Sequence, residues 1–345
     1  GLIGKIRSPH CSGGGCCIED RKINMIRNYK TEDEDALHSL WNTAGVKQGF
    51  APLSKEKFHK LLTGHPDFSP EYTFVMEERG TVCGFVNGCT GGHIPKGDVR
   101  GYFSCLILSA AADTAENSRL LLEALEYAFR KAGKTYSAVT FFNPIRLPWI
   151  IPGTKNHQHN NAPGIPLDIP LHDRMLSAGY RESTRECAMY LNLADYTAPT
   201  WLAEKTAKMA QQGYTVARYD PSKHQGLQEM VDALGNPMWS EEIPAAGKTG
   251  MNLLVALKGN TCAGFTGPVY PEDTGRGYFA GLGVAPQFEG HGLGTLLFHR
   301  LLEEERKAGS RYMSLFTGEE NPARFIYLGA GFRVVRTFGV LLKEL

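Results

Sequence analysis

Three glycines alternate along residues 290–294, just before a helix that the apolar periodicity predicts over 295–308. Glycine leaves no Cβ between an anion and the backbone N–H groups, and a helix N-terminus adds a positive dipole. The Thr295 hydroxyl adds one donor, and an imidazole N–H of His291 adds another. The segment predicts a loop that holds the pyrophosphate of a nucleotide.

The spacing of these glycines separates two classes of nucleotide site. A dinucleotide-binding domain carries Gly-x-Gly-x-x-Gly in its first strand–helix unit, with an acidic residue about 20 positions later. This loop has the spacing Gly-x-Gly-x-Gly and follows four predicted strands of its half of the chain. A tight strand–helix turn that binds nothing is the alternative that spacing alone leaves open.

With its flanks, 282–297, the loop resembles the acetyl-CoA motif of the GNAT superfamily of N-acetyltransferases. The likeness covers about 214–345, and its second element runs from Glu320 to Tyr327, followed by Gly331-Phe332. In that family the strand before the loop splays from its neighbour and pairs with the pantetheine arm. The resemblance therefore implies acetyl-CoA as the acyl donor, bound by Leu282, Gly283, Val284, Glu289, Gly290, His291, Gly292, Leu293, Gly294, Thr295 and Asn321.

Catalytic groups follow in part from the same resemblance. Tyr327 corresponds to the tyrosine that protonates the departing CoA thiolate, although a tyrosine at this position could also simply pack in the core. The family's strand carboxylate has no counterpart, because Tyr278 stands there. A protonated amine cannot attack a thioester, so a base is still needed. Glu241 and Glu242 are the candidates, and a solvated loop pair is the alternative.

The chain divides into two similar halves. Each predicts an early strand and helix, a hairpin, a further strand, a long helix and another strand, and each ends with a short helix before a last strand pair. A repeat of about 150 residues indicates two copies of one α/β domain. We therefore predict a leader or upstream extension at 1–24, a GNAT-like domain at 25–195 and a GNAT domain at 196–345. Each domain would hold a mixed, largely antiparallel twisted sheet flanked by helices.

The first half differs from the second at two places. Its counterpart of the glycine loop, 108–118, contains no glycine and two acidic residues, which predicts that it does not hold CoA. A proline-rich insertion follows at 143–170. It contains His157 and His159, whose spacing is poor evidence for a metal. We expect the insertion to be structural or to cover the substrate, with Trp149 as an anchor.

Bulk composition excludes several classes of function. The 345 residues carry 37 basic and 36 acidic side chains, so net charge implies neither nucleic acid nor an anionic membrane as partner. No apolar run has the length of a membrane span. The leader cysteines Cys11, Cys16 and Cys17 lack the partners of a metal site, so no metal is expected. The sequence suggests a cytoplasmic monomer or homodimer.

Together these features predict an enzyme that moves an acetyl group from acetyl-CoA to the primary amine of a small molecule by direct attack. A non-catalytic acyl-CoA-binding or scaffold module is the alternative, favoured by Glu289 beside the expected pyrophosphate and by the unassigned base. Tandem GNAT architecture also resembles mycothiol synthases, which rank lower because no residue selects that thiol precursor.

Overall fold

The computed structural model describes residues 24–345. The predicted leader lies outside the described residues, except for Asn24, which begins the first strand. The three leader cysteines considered for a metal site also lie outside them.

The first half alternates strands with four helices among its described residues. The strands are β1 (Asn24–Asn28), β2 (Thr73–Glu78), β3 (Thr81–Cys89), β4 (Arg100–Leu108), β5 (Tyr136–Val139), β6 (Trp149–Ile150), β7 (Gln158–His159), β8 (Ile165–Pro166) and β9 (Arg181–Asn192). The helices are α1 (Glu34–Thr43), α2 (Lys55–Phe58), α3 (Ala115–Lys131) and α4 (Pro170–Ser177).

The second half repeats this order. Its strands are β10 (Tyr214–Arg218), β11 (Leu254–Lys258), β12 (Thr261–Thr266), β13 (Leu282–Val284), β14 (Tyr312–Gly318) and β15 (Arg333–Glu344). Its helices are α5 (Leu202–Gln211), α6 (Leu227–Ala233), α7 (Pro237–Lys248), α8 (Leu293–Lys307) and α9 (Arg324–Gly329). The predicted α/β class, with a mixed sheet flanked by helices, is confirmed.

The two halves share their largest sheet, whose strands run in the order β1-β2-β3-β4-β5-β15-β9-β14. The last strand of the second half, β15, pairs with β5 of the first half, and the last strand of the first half, β9, pairs with β14 of the second. Between them β9 and β15 pair along most of their length. The prediction of a separate last strand pair in each half was wrong, because each half contributes one long strand and the two pair with each other. The boundary between 195 and 196 stays a prediction.

The remaining strands of the second half form a separate sheet in the order β10-β11-β12-β13. Strands β13 and β14 do not pair. The backbone segments that lead into β13 and β14 meet only at a parallel bridge between Arg276 and Tyr312. Beyond this bridge the two segments diverge. The structure therefore contains a wedge-shaped gap between the two sheets of the second half.

The corresponding gap of the first half is filled by the chain itself. Strands β4 and β5 pair over only three residues and then diverge. The insertion enters this gap, where Ile165, Ile169 and Leu171 join the core under α3, and β8 pairs with β15. Two cavities remain beside it, of about 60 and 240 Å³. The backbones pack closely, since a Cβ added at Gly164 would lie 2.0 Å from the carbonyl oxygen of Gly339.

Several predicted boundaries shift in the structure. Helix α8 begins at Leu293, two residues before the predicted start, because Gly292 in the left-handed conformation is its N-cap. The strand expected before the glycine loop is regular only at Leu282–Val284, where β12 supplies a partner. Glu241 and Glu242 lie within α7, not in a loop. Helix α5 was not predicted.

Candidate functional site

The glycine loop leaves the N-terminus of α8 open. Gly290 and Gly292 have φ of 83° and 78°, the left-handed region that favours glycine. The N-cap residue Gly292 has no side chain to bond the first-turn N–H groups. In the first half Thr114 does cap α3, with its hydroxyl accepting from the Asn117 N–H at 3.1 Å. The two helix starts therefore differ in whether backbone donors remain for an anion.

A lysine that sequence analysis did not single out lies over this loop. Lys205 of α5 reaches Gly292 so closely that a Cβ added there would lie 2.7 Å from Lys205 Nζ. The same ammonium lies 5.6 Å from the ring centroid of Trp201. A cation above an open helix N-terminus adds to the attraction for a phosphate. The amphipathic run of α5 was the signal in the sequence that could have placed Lys205 on a helix.

The other loop residues in the predicted set differ in exposure. His291 is exposed and packs against Tyr214, with the ring centroids 4.7 Å apart. Glu289 is exposed, so solvent screens its repulsion of an anion. Leu293 is buried in the core, whereas Gly294 and Thr295 are half-buried in the first turn of α8.

Strand β13 presents a free edge to the gap. On its other side Phe265 of β12 pairs with Gly283, and the Ala285 N–H donates to the Ala263 carbonyl at 2.8 Å. Backbone groups alternate in direction along a strand, so those of Leu282 and Val284 point toward the gap. This edge has the form expected of the predicted pantetheine-binding strand.

The gap opens into a cavity of about 400 Å³ that reaches both faces of the sheet. On one face Leu315 and Tyr327 belong to the core under α8. On the other face Phe316 packs with the cluster around Trp149 of the insertion. A molecule in this cavity can therefore meet groups from both sides of the sheet.

Tyr327 lies on the wall of this cavity and is 6% exposed. Burial raises its pKa to about 12, so the hydroxyl keeps its proton at neutral pH. Its ring packs on Phe298 at a centroid distance of 4.8 Å. The side chain thus packs in the core and also lines the cavity, and a protonated hydroxyl there is able to act as an acid.

The two candidate base residues differ in the cavities that they line. Glu242 lines the cavity and accepts a hydrogen bond from the Tyr278 hydroxyl. Burial and this carboxylate together raise the pKa of Tyr278 far above its usual range. Glu241 lines only a neighbouring surface depression beside Thr249 and Met251, which Glu242 also borders. Only Glu242 of the pair shares a cavity with Tyr327.

Asn321 lines the cavity but is engaged within its own turn. Its Oδ1 accepts from the Ala323 N–H at 2.9 Å, just before α9. Nearby, Thr317 is 4% exposed and its hydroxyl has no hydrogen-bond partner in the described part of the chain. A buried hydroxyl without a partner costs about 1–3 kcal/mol, which a bound ligand offsets if it supplies the bond.

The first half supplies part of the cavity wall. Trp149 is 2% exposed and its indole N–H donates to the Asn161 carbonyl at 2.7 Å, so it anchors the insertion as predicted. His159 is buried between Ser314 and Asn161, and burial lowers its pKa well below the usual value. Its ring nitrogens are occupied by these partners. No group of metal-ligating side chains occurs within residues 24–345.

Comparisons with known proteins agree with this geometry. Residues 218–332 match the model of the acetyltransferase (GNAT) family. This stretch is a GNAT domain. It contains the gap, the glycine loop and Tyr327. A comparison of the sequence with curated proteins gave no match.

Solved structures that span both halves share this fold, among them the three that follow. The GCN5-related glucosamine N-acetyltransferase region of a fungal multidomain GH3 β-N-acetylglucosaminidase aligns with a TM-score of 0.68 at 17% identity, over 93% of this chain and 38% of that one. A GCN5-related N-acetyltransferase from Sphaerobacter thermophilus gives 0.61 at 15% identity, over 93% and 95%. A tandem GNAT protein from the clavulanic acid biosynthesis pathway gives 0.56 at 15% identity, over 93% and 98%.

Identities this low show the fold alone. The match of residues 218–332 to the GNAT family supports acyl transfer in general terms. No helix among residues 24–345 combines the length and apolar character needed to cross a membrane.

Proposed function

We propose that this protein transfers an acetyl group from acetyl-CoA to the primary amine of a small molecule by direct attack. The observation that carries the proposal is the single cavity that joins the free edge of β13 to Tyr327 and Glu242. A thioester placed in the gap between the sheets would meet hydrogen-bond donors on one side and an incoming amine on the other.

The cofactor-binding residues fit CoA in three respects. The open start of α8 and the Lys205 ammonium suit the pyrophosphate. A Cβ added at Gly290 meets nothing within 4 Å, so the loop leaves room for a ligand. The unpaired edge of β13 suits the amide groups of pantetheine, which pair as a strand does.

Each residue has one task in the proposed reaction. Glu242 takes a proton from the acceptor ammonium, directly or through water, which leaves a nucleophilic amine. Backbone N–H groups at the β13 edge polarise the thioester carbonyl while the new C–N bond forms. As the C–S bond breaks, Tyr327 gives its proton to the sulfur and regains one from the nitrogen. The products are the acetylated amine and CoA with a free thiol.

Thiol release from acetyl-CoA across an amine panel tests this proposal. Tyr327→Phe is expected to lower kcat about 10²- to 10⁴-fold, the usual contribution of a general acid, with little change in CoA affinity. Glu242→Gln is expected to lower kcat and to reduce the rise of kcat with pH that a general base confers. Glu241→Gln is the matched control and leaves both unchanged. CoA binding without turnover of any amine would favour the non-catalytic acyl-CoA-binding module instead.

A further inference from the structure

Strand exchange brings an acidic residue of the first half into the cavity of the second. Glu186 lies on β9, between Phe338 of β15 and Gly318 of β14. Side chains alternate along a strand, so Glu186 shares a face with Ala188 and Tyr190. Those two belong to the cluster around Trp149, on the side of the sheet away from Tyr327.

The Glu186 side chain has no hydrogen bond or ion pair in the part of the chain that the structure describes. It is half-buried and lines the cavity. Burial alone raises the pKa of its carboxyl, and no cation contributes to the shift. A desolvated carboxylate without a cation is costly, and it attracts an ammonium from the ligand.

An unpaired cation lies on the wall of the same cavity. Arg146, at the start of the insertion, is exposed and forms no ion pair or hydrogen bond among residues 24–345. Its charge acts on Tyr278 and on His159 but is absent from the influences on Glu186. No ion pair joins the guanidinium to the Glu186 carboxylate in the described part of the chain, so each charge remains for a group of the ligand.

The other charged groups of the cavity are already occupied. Arg276 is 5% exposed and ion-pairs with Glu272, and its guanidinium also donates to the Ser314 carbonyl at 2.7 Å. Glu242 accepts from Tyr278. Among the described residues of the cavity wall, a ligand thus meets one cation and one anion whose side chains have no partner, and the first half supplies both.

We propose that the acceptor is a small amine that also carries a carboxylate. Glu186 attracts its ammonium into the cavity, where Glu242 takes the proton, and Arg146 binds its carboxylate. This inference rests on the proposed acetyl transfer and names its substrate class. It also gives the first half a task, because that half completes the acceptor site. Arginine binds carboxylates with two parallel hydrogen bonds, a geometry that lysine cannot reproduce.

Matched amine pairs test this inference. L-Phenylalanine with phenethylamine, L-lysine with cadaverine and L-ornithine with putrescine differ only in the carboxylate. For at least one pair we expect the carboxylated member to have a kcat/KM about 10- to 100-fold higher, the range of a charge-assisted hydrogen bond. Arg146→Gln should abolish the preference by raising KM for that member alone, and Arg146→Lys should restore it in part. Lys155→Gln removes an exposed cation of the same insertion that does not line the cavity and serves as control.

Glu186→Gln should lower kcat/KM for both members of a pair about equally. Glu344 is an exposed carboxylate on β15, and Glu344→Gln should lower neither value. Equal use of both members by the wild type, or an equal effect of Arg146→Gln on both, would overturn the inference. Calorimetric titration of the amino acids in the presence of CoA separates the two proposals. If no amine is acetylated but an amino acid binds the wild type and not Arg146→Gln, only the transfer proposal fails. If no amino acid binds or reacts, the substrate class is wrong.

Discussion

The Lys343 ammonium lies 2.7 Å from the Glu126 carboxylate, so the last strand of the second half is ion-paired with a helix of the first. Glu126 is 1% exposed, and its Oε1 has no hydrogen-bond partner in the described chain. Arg130 approaches the same carboxylate only to 3.8 Å. The strand exchange therefore includes a buried charge that depends on Lys343.

Removal of the Lys343 charge should destabilise the protein. Lys343→Met leaves a buried carboxylate without its near partner, and breaking a buried pair in this way costs about 3–5 kcal/mol of unfolding free energy. Urea unfolding measures the loss. Adding Glu126→Gln removes the buried charge that has lost its partner, so the double variant should regain most of the stability. A double variant no more stable than Lys343→Met would contradict this account.

The Lys205 ammonium over Gly292 predicts a contribution to CoA affinity. Lys205→Ala should raise the Kd for CoA about 10-fold, as expected for the loss of one charge-assisted contact, and should weaken the salt dependence of binding. Isothermal titration at two ionic strengths measures both. Lys208→Ala is the control, since Lys208 lies on the same helix and ion-pairs with the exposed Glu204. Equal effects of the two substitutions would argue against a phosphate contact at Lys205.

The filled gap of the first half predicts one CoA per chain. The insertion residue Ile169 lines both cavities that remain there, of about 60 and 240 Å³. Thr114 caps the helix whose counterpart would hold the pyrophosphate. Calorimetric titration with CoA should give a stoichiometry near one, and Gly292→Val should abolish the binding. A second equivalent of CoA, or residual binding by Gly292→Val, would assign a site to the first half.

Sequence reasoning worked best where the determinants are local. The glycine loop could be predicted because left-handed backbone at Gly290 and Gly292 requires glycine within a few residues of the helix start. The repeated order of strands and helices was likewise visible in hydrophobic periodicity. Glu242, by contrast, could be distinguished from Glu241 only by the path of α7. Both residues line one surface depression, but only Glu242 also reaches the cavity of Tyr327.

The features that sequence reasoning missed depend on contacts between distant segments of the chain. Glu186 enters the cavity only because β9 pairs with β14, more than 120 positions later in the chain. No local pattern distinguishes a strand that stays within its half from one that exchanges, because both satisfy the same backbone pairing. Arg146 likewise acquires its neighbours through the packing of one half on the other. Lys205 reaches Gly292 only through the packing of α5 beside the start of α8. Local sequence patterns therefore could not predict which residues line the acceptor side of the cavity.

Close packing of Trp239 on Gly281 predicts a selective effect on the acceptor. A Cβ at Gly281 would lie 2.2 Å from the Trp239 ring, so Gly281→Ala must displace an indole that lines the cavity. We expect KM for the amine to rise several-fold while the Kd for CoA stays unchanged, together with a shift in tryptophan fluorescence. Gly329→Ala is the control, since a Cβ there meets nothing within 4 Å. An unchanged KM for Gly281→Ala would show that the indole does not shape the acceptor site.

Glu305 of α8 predicts a pH-dependent stability. It is fully buried, and burial raises its pKa to about 8, against the opposing effects of the Ser310 hydroxyl, a backbone hydrogen bond from Tyr270 and the Arg276 charge. The folded state therefore binds this proton more tightly than the unfolded state does. Its contribution is complete below about pH 4.5 and is lost as pH rises to about 8. Between pH 6 and 9 the wild type should lose up to about 3 kcal/mol relative to Glu305→Gln, at about 1.4 kcal/mol per pKa unit. Urea unfolding across that range measures the difference. Glu303→Gln, a half-buried carboxylate on the same helix, should follow the wild type, and parallel pH profiles for wild type and Glu305→Gln would refute the buried titration.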